Sequence, residues 1–477
     1  MPTIRRRSFC SLLAGGFAAS LSGLAGRAEE PGPSLQPTIK VSRTIAARMP
    51  PDFAGLSYES TQLYDPAFFS PDNASLIAQF GAFNRHGILR LGGNLSDCSR
   101  WQSENGDFST PKAVAAETAG EQAWEWKLTS AAARGERTGA ITPKALEMLR
   151  GFLDRTGWRV IYGLNFASGD IARAADEAGR AARLLGDRLV AFQIGNEVDF
   201  YGGNPRYRRT GYDFEQYARD LVTMWDAVRA VAPSAHLGGP DTALSTDWVE
   251  RFAAMPEFDA AFLSSHYYAM GPASDPAMNA QRLLGPSEKL ANQIAAARRI
   301  QAQHKLPFRL TEANSCFGGG KKGVSDTFAS ALWAADFLLQ TAQAGYASVA
   351  LHGGGDGIYT PIEAVSAPAK PRPVFFGAQF SNHLAGCDLL GCAVDGTTSV
   401  SAYAGERGKM RLLALINKSA LPITPKVLWP DIAARPPATI ADLRAPALDA
   451  TSGIELSPSE SGSMVVLPYS AKLLAWR

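Results

Sequence analysis

The chain has 477 residues, 46% of them hydrophobic and 19% charged, with a formal net charge of +2. This length predicts two domains, and the composition supplies a large core, which excludes a globally disordered chain. A nearly neutral balance excludes a protein that coats nucleic acid and leaves room only for a local basic patch.

The first residues carry an export pattern: Arg5-Arg6-Arg7-Ser8-Phe9 is a twin-arginine-like start, followed by the apolar run Cys10 to Leu24 and small residues up to Ala28. That run is too short and too rich in Gly and Ser for a comfortable membrane span. Residues 1–28 are therefore expected to be a cleaved signal, leaving a periplasmic or secreted protein with no stable membrane anchor. Cys10 leaves with the signal, and Cys98, Cys316, Cys387 and Cys392 remain. An oxidising compartment permits disulfides, and Cys387 with Cys392 is the best local pair, although spacing cannot fix connectivity. The cysteine and histidine spacings suggest no zinc site.

Residues 29–50 read as a Pro-rich linker and an N-terminal strand, Thr38 to Ala46, which can join a later sheet. A regular alternation then begins. Eight short apolar runs are Phe53–Tyr58, Gly87–Leu91, Arg159–Leu164, Leu189–Gly195, Ala235–Gly239, Ala260–His266, Phe308–Thr311 and Ala347–Leu351. Between them lie helix-like stretches such as Asp72–Arg85, Pro143–Thr156, Asp170–Leu185, Phe214–Val231, Ser287–His304 and Ser325–Ala344, with Phe375–Leu384 last. Eight β-then-α units predict an α/β fold, a (β/α)8 TIM barrel over residues 51–386. The competing doubly wound sheet needs a phosphate-binding glycine loop, and Gly353-Gly354-Gly355-Asp356-Gly357 lacks the dinucleotide spacing and a following helix. From Cys387 the texture changes to short β-prone segments: Ser399–Ala404, Met410–Asn417, Lys426–Trp429, Thr439–Leu443, Met464–Leu467 and Lys472–Trp476. They predict a C-terminal antiparallel β-sandwich domain over 387–477.

In such a barrel the reacting groups lie at the C-terminal ends of the strands. The fourth run ends in Asn196-Glu197, the sixth in His266-Tyr267-Tyr268 and the seventh in Glu312. Two carboxylic acids at opposite strand mouths are what acetal cleavage requires, one to protonate the leaving oxygen and one to attack or stabilise the anomeric carbon.

The paired glutamates, with Asn before the first, resemble those of the clan A glycoside hydrolases. Finer motifs resemble family 79, which contains heparanases and β-glucuronidases. They are Phe53–Ser60, Leu89-Arg90-Leu91-Gly92-Gly93-Asn94, Gln193–Glu197, His266-Tyr267-Tyr268, Thr311-Glu312 with Phe317–Gly320, and Ser325–Phe328. The resemblance implies a retaining hydrolase of β-linked glucuronic acid that needs no metal or nucleotide, with Glu312 as nucleophile and Glu197 as acid and then base. Burial and the facing Glu312 charge would raise the acid's pKa. Asn196 would bind the 2-hydroxyl, and His266 and Tyr268, with Tyr267 beside them, would line the site and orient the nucleophile. The sugar carboxylate would be held by Phe317, Gly318, Gly319, Gly357 and Tyr359, and Glu59 and Asn94 would take the other hydroxyls.

At Glu59, Asn94 and Phe317 the chain departs from heparanase-type members, which carry Asp, Thr and Tyr there. The rival readings are an endo-acting hydrolase of heparan sulphate or hyaluronan type, and a non-catalytic carbohydrate-binding barrel. Arg206-Tyr207-Arg208-Arg209 and Lys321-Lys322 either flank an anionic chain or are solvated loop charge. Trp101, Trp124 and Trp126 either stack on sugar rings or pack in the core.

Overall fold

The computed structural model describes residues 34–103, 139–203, 207–353, 357–364, 368–430, 432, 437–458 and 463–476. The export pattern, Trp124, Trp126, Arg206 and Gly354–Asp356 lie outside the described residues.

Eight parallel strands form the barrel: β2 (Ala54–Glu59), β3 (Ile88–Gly92), β4 (Arg159–Leu164), β5 (Leu189–Ile194), β6 (Gly238–Thr242), β7 (Phe262–Met270), β8 (Phe308–Cys316) and β9 (Ser348–His352). The hydrogen-bonded order runs β5-β4-β3-β2-β9-β8-β7-β6. Closure between β5 and β6 comes from the Phe192–Leu237 bridge, with Phe192 N–H donating to His236 O at 2.8 Å. Side chains on both faces of these strands are buried, which is why they read as unbroken apolar runs.

The helices follow their capping chemistry. In α2 (Pro143–Thr156), after α1 (Ala74–Phe83), Thr142 accepts the Ala145 N–H, Pro143 opens the first turn, and Gly157 at φ +75° ends it. Leu146, Leu149 and Leu153 form the stripe that this helix lays on the barrel. Asp170, Asp213 and Ser287 cap α3 (Ile171–Leu185), α4 (Phe214–Val231) and, after two shorter helices, α7 (Glu288–His304) in the same way. Those shorter helices are α5 (Thr246–Ala253) and α6 (Ala280–Leu284), neither among the stretches singled out from sequence.

Three strand positions differ from expectation. β7 and β8 each run nine residues, so His266 lies inside its strand rather than at the end, and Tyr268 and Glu312 lie within strands rather than beyond them. The fifth strand is Gly-Gly-Pro-Asp-Thr, three residues later than the apolar pattern suggests. It contains no bulky side chain because the ring of Phe262 fills that space, and a Cβ on Gly238 would sit 2.1 Å from it.

A short antiparallel pair, β10 (Ile362–Glu363) and β11 (Lys370–Pro371), follows the barrel strands. Outside the barrel, β1 (Thr38–Arg48) belongs to a second eight-stranded sheet with β12 (Asp388–Asp395), β13 (Val400–Arg407), β14 (Met410–Asn417), β15 (Lys426–Leu428), β16 (Ala438–Arg444), β17 (Glu455–Ser457) and β18 (Ser470–Trp476), in the order β15-β1-β12-β13-β14-β18-β16-β17. All pairings are antiparallel except β1 with β15. A bridge from Val466 to Ile423 curls the sheet around its own core of Ile39, Leu390, Leu413, Ile423, Val466 and Leu474. The opposite face packs on the barrel helices α8 (Phe328–Gln343) and α9 (Pro373–Asn382). There Asp336 of α8 accepts the Tyr403 hydroxyl and the Lys418 ammonium, each at 2.6 Å. Among the described residues no helix is long and apolar enough to cross a membrane.

The expected Cys387–Cys392 pair does not form; the four described cysteines are all free thiols. Cys387 belongs to the core facing the barrel and Cys392 packs against the sheet's own core. Cys387 stands just before β12 and Cys392 within it; their odd spacing puts them in different cores, and about five extended residues carry them about 16 Å apart, far beyond disulfide reach.

Candidate active site

The two glutamates meet at the C-terminal mouth of the barrel. Glu197 lies in the turn after β5 with φ +51°, and its N–H donates to Asp241 O at 2.9 Å. Asp241, in β6, is also in the left-handed region at φ +66°. Such a conformation is costly for non-glycine residues and persists where surrounding contacts enforce it. Glu312 projects from β8 and is 2% exposed. Glu197, His266 and Glu312 each present a polar atom within 4.8 Å of the others'.

Beneath them runs a buried polar network. Arg90 of β3 donates through Nη1 to Glu312 Oε2 at 2.9 Å, and through Nη2 to Asn196 Oδ1 at 2.7 Å and Asp241 Oδ2 at 2.5 Å. Its Nε reaches Gln193 Oε1 at 3.3 Å. Gln193 Nε2 donates to Asp241 Oδ1 at 2.7 Å, and the Thr311 hydroxyl donates to the same oxygen. The Tyr268 hydroxyl donates to Glu312 Oε1 at 2.6 Å. His266 Nδ1 lies 3.2 Å from Glu197 Oε1, and its Nε2 lies 3.2 Å from Asp241 Oδ2. His352, the last residue of β9, places Nδ1 3.0 Å from the Ser57 hydroxyl and 3.8 Å from Glu312.

These charges set the protonation pattern. Burial works to raise the pKa of Glu312, but His352, His266 and Arg90, with the Tyr268 hydrogen bond, outweigh it and hold the group at about 2. Asp241 is likewise held well below the carboxylate range, with Arg90 and His266 overcoming its burial. Burial works to lower the pKa of His266; Asp241 and Glu312, with bonds to Asp241 and Glu197, raise it to about 10.

Other predicted residues surround this centre. Asn196 Nδ2 donates to Asn94 Oδ1 at 3.3 Å. Glu59, at the end of β2, accepts the Leu95 N–H at 2.8 Å and lies 3.6 Å from His352 Nε2. The Phe317 and Tyr359 rings flank Tyr268 with centroids 6.4 and 6.2 Å away. Gly318, Gly319 and Gly320 all have φ between +85° and +94°, and Ile358 N–H, next to Gly357, donates to Gly319 O at 3.0 Å. A Cβ on Gly320 would lie 2.9 Å from the Tyr359 nitrogen, so this loop can pack against residues 357–359 only as glycine.

Tyr267 is a correction. Side chains alternate along β7, so with His266 and Tyr268 facing the site Tyr267 faces the helices. It stacks on Phe337 with centroids 5.1 Å apart and contacts the Ser287 hydroxyl at 3.0 Å. Arg208 lines no groove: its guanidinium lies over the rings of Phe166, Tyr212 and Tyr201 and donates to Asp220 and to the Phe166 and Ala167 carbonyls. Lys321 donates to Asp275 O at 3.2 Å. Trp101 is buried, with its indole N–H on Asp176 at 2.6 Å, and so takes the core-packing role.

Arg90, Gln193 and Thr311 fall within the motifs quoted above but had no role there, and Asp241 and His352 were missed. An arginine inside the apolar run Ile88-Leu89-Arg90-Leu91 was the available signal, since a buried guanidinium requires buried anions.

The comparisons agree with this geometry. Residues 72–339 match the model for "Glycosyl hydrolase family 79, N-terminal domain". The chain is 24% identical over 426 residues to a β-glucuronidase of Aspergillus niger, covering 81% of this chain and 73% of that one. It is 23% identical over 289 residues to heparanase-like protein 3 of Arabidopsis thaliana, covering 56% of this chain but only 52% of the relative's length. Among solved structures, a 4-O-α-L-rhamnosyl-β-D-glucuronidase from Fusarium oxysporum superposes with a TM-score of 0.68 at 16% identity, covering 93% of this chain and all of that one. A family 51 α-L-arabinofuranosidase of Bifidobacterium longum gives 0.65 at 14% identity over the same shares, a likeness of fold alone. With more than half its length matched by the family model, the chain belongs to glycosyl hydrolase family 79.

Proposed function

We propose that the protein is an exported, retaining β-glucuronidase. The observation that carries this reading is the pair of facing carboxylates, with Glu197 and Glu312 oxygens within 4.8 Å. Retaining enzymes place these groups about 5–5.5 Å apart, whereas inverting ones leave room for a water at about 6.5–9.5 Å. The two groups also differ in environment. Glu312 is enclosed and held ionised, as a nucleophile must be, while the side chain of Glu197 keeps 15% of its surface open to the mouth.

In this mechanism Glu312 attacks the anomeric carbon while Glu197 protonates the departing oxygen, giving a glycosyl ester on Glu312. Glu197, now a carboxylate, takes a proton from water as that water attacks the same carbon, releasing glucuronic acid in its original configuration. Tyr268 and Arg90 fix the two oxygens of the nucleophile, and Asn196 is placed for the 2-hydroxyl. The backbone N–H groups of Gly318 and Gly319, with Gly357 and the Tyr359 hydroxyl, are the proposed cradle for the sugar carboxylate, beside Phe317; a turn of left-handed glycines suits an anion. Glu59 and Asn94 remain for the other hydroxyls.

The β-glucuronidase and rhamnosyl-glucuronidase names of two matched proteins support glucuronic acid as the sugar. A panel of aryl β-glycosides tests it: the glucuronide is cleaved and the glucoside and xyloside are not. Preferential cleavage of either neutral glycoside would refute the glucuronide assignment.

A further inference from the structure

We propose that Asp241 is the positioning residue of the general acid: through the His266 ring it determines which oxygen of Glu197 carries the transferable proton. This rests on the assignment of Glu197 as the acid and extends it to a residue outside the glutamate pair.

Asp241 is 1% exposed and its oxygens are fully engaged. Oδ1 accepts from Gln193 and Thr311, and Oδ2 accepts from Arg90 and faces His266 Nε2. It acts on the reaction only through its neighbours. The His266 ring has a carboxylate oxygen 3.2 Å from each nitrogen, Glu197 on one side and Asp241 on the other. The Nδ1 contact has hydrogen-bond geometry, while Nε2 meets Asp241 as a close ion pair outside that geometry; with an anion at 3.2 Å from each nitrogen, the ring is stabilised carrying hydrogen on both. Nδ1–H therefore donates to Glu197 Oε1, and Oε1 is reserved as an acceptor. The proton that reaches the leaving oxygen must sit on Oε2.

The charged groups facing the ring are Asp241 from β6, Glu197 from the turn after β5 and Glu312 from β8, with Arg90 of β3 on the far side of Asp241. From α7, Gln293 binds the His266 carbonyl without charge, while Lys289, whose ammonium donates to the Tyr268 carbonyl at 3.0 Å, brings a positive charge that acts on the Glu197 side. Of the anions, Asp241 alone lies on the Nε2 side at contact distance among the described residues. The raised pKa of His266 agrees with this geometry.

Asp241→Asn keeps the shape and removes the charge. Across a series of aryl β-glucuronides of graded leaving-group acidity, kcat/KM should fall about 10–100-fold for the poorest leaving groups and only a few-fold for the most activated, because only the former need the proton. His266→Gln should give the same pattern, and the double variant should be no steeper than His266→Gln alone. Equal losses across the series, or additive steepening, would overturn the proposal and leave Asp241 as a counter-ion of Arg90 only. Should Asp241→Asn not fold, His266→Gln carries the same leaving-group comparison. A second readout needs no substrate. Nitrogen NMR of the His266 ring should show both nitrogens protonated at pH 8 in the natural protein and a neutral ring in Asp241→Asn. A neutral ring in the natural protein at that pH would overturn the proposal whichever sugar is cleaved, whereas failure to cleave any glucuronide with a protonated ring would refute the glucuronidase reading alone.

Discussion

Two regions of this barrel bury carboxylates, and they treat them in opposite ways. At the mouth, Glu312 and Asp241 face a guanidinium and imidazoles and are held ionised despite burial. Behind β4, Glu177 of α3 accepts the Tyr162 hydroxyl at 2.7 Å and borders a cavity of about 30 Å³ lined also by Trp101, Asn165 and Arg173. Burial raises its pKa to about 7, helped by Asp176 and only partly offset by Tyr162 and Arg173. Asp97 lies beside the mouth, its carboxylate accepting the Asn196 N–H at 3.3 Å, yet burial pushes it to about 7 with only partial relief from Tyr201 and backbone N–H groups, so position at the mouth does not by itself keep a carboxylate ionised. The difference lies not in depth but in whether a cation makes direct contact. Glu312, the proposed nucleophile, and Asp241 are in contact with cations, while Glu177 has no such contact strong enough to outweigh its burial.

The sharpest way to break this comparison is Glu312→Gln, which should reduce turnover of an aryl β-glucuronide on the order of ten-thousand-fold or more while circular dichroism shows an intact fold. Retained activity would remove the nucleophile from its place. Next in size, Glu197→Ala should slow glycosylation about 10²–10⁴-fold on poor leaving groups and far less on activated ones; equal losses in that step count against the acid role. Arg90→Met removes the cation shared by Glu312 and Asp241, and denaturant melts should show a loss of about 3–5 kcal/mol from stranding buried charge. Losing that cation also raises the proton affinity of Glu312, so the acidic limb of the pH–rate profile should move upward; an unmoved limb would contradict the electrostatic account.

The smallest effects test the opposite signs directly. Glu312 has its pKa depressed from 4.5 to about 2, so its contribution to stability is present above pH 4.5 and is lost as pH falls towards 2. Glu177 has its pKa raised from 4.5 to about 7, so its contribution is present below pH 4.5 and is lost as pH rises through 7. Thermal melts at pH 8 should therefore show Glu312→Gln destabilised and Glu177→Gln stabilised, each on the order of 1–3 kcal/mol. At pH 4 the Glu177→Gln gain should vanish. Shifts of the same sign at pH 8 would show that contact with a cation does not separate the two regions.

The same contrast explains what could be read from the sequence. Helices Pro143–Thr156 and Phe214–Val231 were legible to the residue because their caps are local chemistry. Glu197 and Glu312 were legible because each interrupts or ends an apolar run. The fifth strand was displaced, since Gly-Gly-Pro-Asp-Thr carries no apolar pattern, and Asp241 was lost with it. Arg90 stood inside a recognised motif, but its partners come from β6, β8 and the turn after β5, far away along the chain. Tyr267 is not legible as a core residue because the apolar pattern ends at His266, and alternation cannot be applied beyond a strand's apparent end. Cys387 and Cys392 are close in sequence, yet a strand between them separates them in space. Local rules reached the elements, while charge networks needed the closed barrel.

The stereochemistry of the first product tests the account most directly. Proton NMR of an aryl β-glucuronide during early turnover should show β-glucuronic acid appearing first, with the α-anomer growing in only as the free sugar equilibrates. Initial release of the α-anomer would mean single displacement by water, and the facing glutamates would not be the nucleophile and acid assigned to them.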